Sequence, residues 1–387
     1  MDINMHVNEL PARTYRWLKL NGEDFCENNI EFRNKSIPVT FCAADVKITE
    51  NADAKTSEEI FQKSYDLCAE SDKGALRANG DTSVNHDKQI VRTGMGIDVD
   101  NLLESADIKV TLIQTNENTS VTSPVILKNN LSDKENTLSR QVIIVPDGAT
   151  MSVIMQYDSE DDAEIVEGVS TKFYVGKNAT LNLVKIQMLG KKVRFFDDIG
   201  GVVEEKGCFN FVSMQLGAAK AYNGLYVNLL GKESQSNVNC GYLASGNQFY
   251  DFNYVALQRG VKTVSNAVYR GILIDNASKN WRGSLDFRKG SSGSVGDEQE
   301  DTLLLSENVV NRTIPLILCG EEDVDGRHGA TIGQLSDDML FYMEARGIDK
   351  ENAKKIMVRA RLDSIARMIP DGELRNNVGR FLDSILN

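Results

Sequence analysis

The sequence lacks the short motifs that mark many catalytic and metal-binding proteins. Its 387 residues contain no GxxxxGK[ST] phosphate loop, no GxSxG nucleophile elbow, no HExxH pair and no EF-hand loop. The six cysteines form no CxxC pair, and the histidines are only His6, His86 and His328. The chain is therefore not expected to hydrolyse ATP through a phosphate loop or to build a multi-histidine metal site alone.

Positive charge is also scarce. The chain has 43 Lys and Arg against 56 Asp and Glu, a net charge of −13, and no basic run. Because phosphate backbones and anionic lipids repel such a surface, neither nucleic acid nor a membrane is an expected partner. No apolar run is long enough to span a bilayer, and residues 1–10 lack the pattern of a secretory signal. The expected compartment is the reducing cytoplasm.

Proline is missing between Pro146 and Pro315. The same stretch carries many short β-rich runs in which apolar and polar residues alternate, as in residues 180–183 and 223–229. Since proline is excluded from central strands, its absence suits one continuous sheet structure. Many short strands without intervening helices leave a sandwich, a barrel and a β-solenoid open.

Helical patterns lie before this region. Residues 9–20, with Pro11 in the first turn, and residues 57–71, behind an N-cap serine, predict two short helices. Residues 75–100 are rich in Gly, Asn and Asp without periodicity, which predicts a loop.

Helical patterns return after residue 321. Ser336 and Asp349 are N-cap candidates, and apolar residues recur at i, i+3 and i+4. The first helix is expected to stop at Gly347, and a third follows Gly372. The expected domains are a mixed, partly helical region over 1–105, a β core over 106–320 and a small C-terminal helical bundle over 321–387.

The most specific pattern lies in residues 316–348. It resembles the SufB/SufD family of iron–sulfur cluster assembly proteins, at the point where their β core passes into C-terminal helices. The matching residues are Glu322-Asp323-Val324, His328, Gly329-Ala330-Thr331, Gly333, Leu340-Phe341-Tyr342 and Arg346-Gly347-Ile348. Weaker matches, including Gly283 and Gln299, extend the resemblance over roughly residues 140–387. The N-terminal 130 residues match only loosely.

The resemblance implies a mainly β fold: a right-handed parallel β-helix (β-solenoid) core, a helical N-terminal region and a small C-terminal helical domain. It implies a non-catalytic scaffold that pairs with a SufB-like paralogue through the core and binds a SufC-like ABC ATPase, which would hydrolyse ATP. No stably bound cofactor is expected, only a transient iron–sulfur cluster or iron at a subunit interface. A homodimer of the isolated chain stays open. The candidate ATPase contacts in the C-terminal helices are Leu340, Phe341, Tyr342, Ile356, Met357 and Ala360.

Two departures favour a SufD-like over a SufB-like chain. SufB-like chains carry a cysteine after the glutamine that matches Gln299, where this chain has Glu300. They also carry an acid–His–acid pattern, where this chain has Arg327-His328-Gly329. The resemblance makes His328 the first candidate interface ligand for iron, since a neutral imidazole binds iron at cellular pH. The plain alternative is that His328 packs a Gly-flanked turn between core and helices.

Cys319 and Glu300 are further candidates. A Cys319 thiolate could carry sulfide or ligate iron, whereas a small buried apolar role is the plainer interpretation. Glu300 could be a hard oxygen ligand or an interface salt bridge, whereas a solvated acid is the default. Two other functions stay open: a self-sufficient SufB-type scaffold that assembles clusters on Cys319, and a β-helix carbohydrate-active enzyme, which would need clustered charges on one coil face.

Overall fold

The computed structural model describes residues 1–14, 17–52, 61, 91–131, 135–334 and 337–386. Two long sheets dominate, and the chain passes from one to the other at almost every strand. The strands are β1 Ile3–Val7, β2 Glu23–Glu27, β3 Phe32–Asn34, β4 Val39–Phe41, β5 Val46–Ala52, β6 Val110–Thr115, β7 Val125–Leu131, β8 Asn136–Val145, β9 Thr150–Ser159, β10 Val166–Val175, β11 Thr180–Met188, β12 Arg194–Val203, β13 Cys208–Gln215, β14 Lys220–Leu229, β15 Gln235–Ala244, β16 Phe249–Gln258, β17 Val264–Leu273, β18 Ser278–Phe287, β19 Ser294–Leu304, β20 Val310–Cys319 and β21 Val324–Gln334.

From β6 to β21 these strands wind into a parallel β-solenoid. Sheet 1 holds the even-numbered strands in the order β20-β18-β16-β14-β12-β10-β8-β6, and sheet 2 holds the odd-numbered strands from β21 to β7 in the same way. Each strand therefore hydrogen-bonds in parallel to the strand one coil before and one coil after it. The solenoid inferred from the resemblance is confirmed, and the runs predicted as strands all lie on strands.

Stacked side chains hold the coils in register. On the outer side of sheet 2, Asn210 donates to Asn182 at 2.9 Å, Asn237 to Asn210 at 3.0 Å and Asn266 to Asn237 at 3.1 Å. Inside the solenoid, the rings of Phe173 and Phe209 stack with centroids 4.1 Å apart. Because a slip by one residue would turn every side chain to the opposite face, this asparagine ladder and the apolar interior specify the same register.

Both outer faces of the solenoid are covered, which explains why its strands are apolar on both sides. The β1–β2 hairpin and a helix pack on sheet 1, and the last two helices pack on sheet 2. The helices are α1 Ile97–Ser105, α2 Asp337–Ala345, α3 Lys350–Ala366 and α4 Gly372–Leu386.

Glycines allow the N-terminal region to lie close against sheet 1. Gly94 donates its backbone N–H to the carbonyl of Ile199 at 3.0 Å. A Cβ on Gly94 would lie 2.0 Å from the backbone nitrogen of Leu225, and a Cβ on Gly224 would lie 2.4 Å from the carbonyl carbon of Gly94. No other residue permits this backbone-to-backbone approach.

The N-terminal predictions have different outcomes: the helix at 9–20 is wrong, the helix at 57–71 stays almost wholly untested, and the loop at 75–100 is wrong at its end. The described residues within 9–20 form bends and a turn instead of a helix, and Trp17 is 97% exposed. The predicted helix at 57–71 lies outside the described residues, except for the buried Phe61. The predicted loop at 75–100 overlaps α1, whose start behind Gly96 was missed, while residues 75–90 also lie outside the described part.

The three C-terminal helices are confirmed, but their packing differs from a separate bundle. Asp349 caps α3 by accepting a hydrogen bond from the backbone N–H of Asn352 at 2.9 Å, and Gly347 ends the preceding helix region with φ +82°. Ser336 lies outside the described residues. Helix α3 packs on β13, β15 and β17. The strand β21 continues the solenoid past the expected boundary at 320, so the helices begin only at Asp337.

Candidate functional site

The C-terminal end of the solenoid is open. Strand β20 pairs with β18 alone and β21 with β19 alone, as far as the described residues show, so each sheet ends in an unpaired edge. The register places Thr313 over Trp281, Cys319 over Phe287 and His328 over Glu298. Positions whose side chains are interior in the earlier coils therefore lie at the surface in this last coil.

His328 lies in the middle of β21 and not in the Gly-flanked turn expected for it. Its ring stacks on Trp281, with centroids 5.6 Å apart and planes 28° apart. Its Nδ1 lies 3.7 Å from Oε2 of Glu298, and 15% of its side chain remains exposed. The ring is thus held on its inner side by the last covered coil and is accessible on its outer side.

Glu298 was missed by the sequence reasoning. Its side chain is fully buried, and neither carboxylate oxygen has a hydrogen-bond partner within the described part of the chain. Burial raises the pKa of Glu298 to about 7, and the nearby imidazole of His328 acts to lower it. The signal available was the alternation along β19, which puts Glu298 on the same face as Glu300.

Glu300 is a buried structural acid, so the default of a solvated side chain is wrong. It forms an ion pair with Lys279, and both side chains are fully buried. Its Oε1 accepts from the Thr302 hydroxyl at 3.1 Å, and its Oε2 accepts from the Thr313 hydroxyl at 2.5 Å. Burial lowers the pKa of Lys279, and the Glu300 carboxylate opposes that shift. Both oxygens of Glu300 therefore have partners within the chain.

Cys319 is exposed at the end of β20, so the interpretation as a buried apolar residue is wrong. No hydrogen bond joins Cys319 to His328 in the structure. Within the described ranges, no three side chains of His, Cys, Asp and Glu come together in a geometry that could hold a metal ion.

Comparison with known proteins decides the family. The sequence model of "SUF system FeS cluster assembly, SufBD core domain" matches residues 127–361, more than half of the chain. The chain belongs to the SufB/SufD family.

Relatives within the family identify this chain as a SufD-like member. It is 22% identical over 259 residues to the iron–sulfur cluster assembly protein SufD of Bacillus subtilis, covering 66% of this chain and 59% of that protein. It is 23% identical over 305 residues to SufD of Escherichia coli, covering 77% of this chain and 72% of that protein. A SufBD family protein of Mycobacterium tuberculosis is 28% identical over 142 residues, covering 37% of this chain and 17% of the relative.

The expected ATPase contacts of this SufD-like chain divide into exposed and buried residues. Phe341 is 72% exposed and Tyr342 55%, and Ile356 is also exposed. Leu340 is buried within the chain. The remaining candidates are Met357, which is half-buried, and Ala360, which is exposed. No described helix is long and apolar enough to cross a membrane.

Proposed function

We propose that this chain is the scaffold subunit of a SUF-type iron–sulfur cluster assembly complex. In this proposal it pairs with a SufB-like paralogue through the open end of its solenoid. It binds a SufC-like ABC ATPase through its C-terminal helices. The observation that carries the proposal is the pair of unpaired edges on β20 and β21, which lie beside His328.

The unpaired edges favour pairing with another solenoid. A free strand edge presents unsatisfied N–H and C=O groups, and a partner strand satisfies them by extending the sheet. Two exposed apolar side chains, Ile317 on β20 and Ile332 on β21, lie in the same last coil. A partner of the same fold can extend both sheets at once and cover these side chains.

The subunit is proposed to act without catalysis of its own, with ATP hydrolysed by the ATPase partner. Iron or a nascent cluster is the cargo of the interface and not a stably bound cofactor. His328 offers an imidazole nitrogen to that cargo. Because the described residues bring no three ligands together, the paralogue would supply the others.

Co-purification after co-expression with the paralogue and the ATPase tests the pairing. Ile332→Asp places a charge on the open end and is expected to release the paralogue, whereas Ile356→Asp is expected to release the ATPase alone. Val261→Asp is the matched control, since Val261 is an exposed apolar residue in a turn between β16 and β17. If Ile332→Asp leaves the paralogue bound, the open end is not the pairing surface.

Cluster assembly in cells tests His328. His328→Ala is expected to reduce the activity of iron–sulfur enzymes while the complex still co-purifies. Arg327→Ala is its control, because Arg327 is the preceding residue of β21 and its guanidinium is exposed, paired with Asp325. Unchanged assembly with His328→Ala would remove this residue from the site.

The exposure of Cys319 favours a second candidate, a self-sufficient scaffold that assembles a cluster on this thiol. Anaerobic reconstitution of the isolated chain, followed by absorbance and iron counting, separates the two functions. Under the second candidate the chain binds iron and sulfide, and Cys319→Ser abolishes the binding while Cys42→Ser, which removes another exposed thiol, does not. Under the first, the isolated chain assembles no stable cluster.

A further inference from the structure

Two buried polar groups face each other beside the open end. The Nδ1 atom of His328 is buried and makes no hydrogen bond. Both carboxylate oxygens of Glu298 are also buried and also make no hydrogen bond. These groups lie 3.7 Å apart. An unsatisfied buried polar group costs about 1–3 kcal/mol, so a pair of complementary groups at this distance needs a physical explanation. A small rotation of either side chain would form an Nδ1–H···Oε2 hydrogen bond.

Two contacts together fix the orientation of the His328 ring. Trp281 lies against one face of the ring and sets its plane. Glu298 lies at the Nδ1 edge, 3.7 Å away, where a hydrogen bond to Nδ1 would set the rotation within that plane. Since Nδ1 is the buried nitrogen and the side chain still keeps 15% of its surface, Nε2 is the nitrogen that a ligand can reach.

We propose that Glu298 is a positioning residue: its carboxylate accepts the Nδ1–H of His328 and leaves the lone pair of Nε2 directed at the open end, ready to bind an iron ion or a nascent cluster. This inference rests on the proposed function for the cargo, but the state of the ring can be tested without it. Carboxylate–histidine pairs of this kind fix the tautomer of ligating histidines and increase the basicity of the metal-binding nitrogen.

The burial of Glu298 suits this role. A carboxylate in a dry environment interacts strongly with a hydrogen-bond donor. Charge that moves onto the imidazole when Nε2 binds a cation is then stabilised by an acid that water does not screen. Glu300, the other buried acid on this face of β19, cannot take the role because Lys279 and two hydroxyls already occupy it.

The tautomer test uses the small number of histidines. Selective ¹⁵N-histidine labelling of the full chain gives signals from only three residues, and His328→Gln assigns one of them. In the parent protein the neutral His328 ring is expected to carry its proton on Nδ1. In Glu298→Gln, whose amide can also donate, and in Glu298→Leu, this preference is expected to weaken or reverse. A parent ring with its proton on Nε2 would overturn the proposal.

Cation binding to the purified complex is the second readout, with Co²⁺ as the probe. Glu298→Gln is expected to weaken the binding that depends on His328 by about 10–100-fold. Asp297→Asn is the matched control, because Asp297 is the preceding residue of β19 and points to the opposite face. It is expected to leave the affinity unchanged.

The two proposals fail in different ways. If His328→Ala does not alter Co²⁺ binding or cluster assembly, the proposed role of His328 as a ligand is wrong, and the tautomer still decides whether Glu298 positions the ring. If His328→Ala abolishes the binding and Glu298→Gln leaves it unchanged, only the positioning role is wrong.

Discussion

The buried Lys279–Glu300 pair permits a decisive test of whether Glu300 supports the fold or binds cargo. In Glu300→Gln the shape of the side chain is kept but its charge is lost, so the Lys279 ammonium stays in the solenoid without a counter-ion. In the double variant Lys279→Met/Glu300→Leu both charges are replaced by apolar side chains of similar volume.

The expected magnitudes follow from burial. Both side chains are fully buried, so water cannot solvate the remaining charge. Removing one partner of such a pair costs about 3–5 kcal/mol, whereas replacing the whole pair by apolar residues is about neutral or stabilising by 1–4 kcal/mol. The two threonine hydroxyls that donate to Glu300 would lose an acceptor in the double variant, which offsets part of that gain.

Urea denaturation measures both variants, with the slope of the transition monitored to confirm that the same surface unfolds. The double variant should be more stable than Glu300→Gln by several kcal/mol and should retain cluster assembly in cells. A loss of less than about 1 kcal/mol in Glu300→Gln would refute the assignment as a buried ion pair. A stable double variant that has lost assembly would show that Glu300 has a functional role.

Three further predictions concern other parts of the fold. Burial raises the pKa of Asp198 from 3.8 to about 8, so the stability that protonated Asp198 contributes is complete below pH 3.8 and is lost as the pH rises to about 8. At about 1.4 kcal/mol per pH unit, the stability of Asp198→Asn relative to the parent should therefore be several kcal/mol greater at pH 8 than at pH 5. An equal difference in thermal unfolding at both pH values would contradict this. Gly224→Ala should push the facing backbone off sheet 1 and increase limited proteolysis of the N-terminal region, unlike Gly372→Ala, whose Cβ would meet nothing within 4 Å. Leu340→Ala should lower the free energy of unfolding by about 2–5 kcal/mol because Leu340 is buried, whereas Phe341→Ala should stay within about 0.5 kcal/mol.

Local patterns predicted the elements of the core but not their assembly. Alternation and the absence of proline identified the strands, because each of these signals acts within one strand. The choice of a solenoid came from the family resemblance, since strand pairing joins residues about one coil apart, as between Asn210 and Asn237. The cap at Asp349 was predictable for the same local reason as the strands.

The errors arise where distant residues decide the structure. The segment 9–20 has a helical pattern, but Arg282 binds the carbonyl of Leu20 at 2.8 Å and that of Gly22 at 3.0 Å, and these contacts hold the following chain against sheet 1. Such tertiary contacts outweigh a weak local helix propensity. Cys319 was expected to be buried because it follows apolar residues, yet it is exposed because β20 is the last strand of its sheet.

The same dependence on position explains Glu298. Alternation along β19 puts Glu298 on the same face as Glu300, but only the pairing with β17 and β21 shows that this face is the buried one. The role proposed for Glu298 follows only from the register that places His328 over it. His328 could be identified from the family pattern, whereas the identification of Glu298 required the three-dimensional structure.

The two ends of the solenoid are built from strands of different relative direction. At the N-terminal end, β4 pairs with β7 and β5 pairs with β6 in antiparallel orientation, which breaks the parallel ladder. At the C-terminal end, β20 and β21 keep the parallel ladder up to their free edges. A solenoid with parallel ladders free at both ends could stack head to tail into a filament, since a heterologous contact that does not close propagates. Because β4 and β5 run antiparallel to their neighbours, a second copy would meet a different ladder at the N-terminal end than at the C-terminal end. At the C-terminal end, β20 and β21 lie directly over interior residues such as Trp281 and Glu298. The proposed pairing and the proposed access to His328 would therefore occur at the same place.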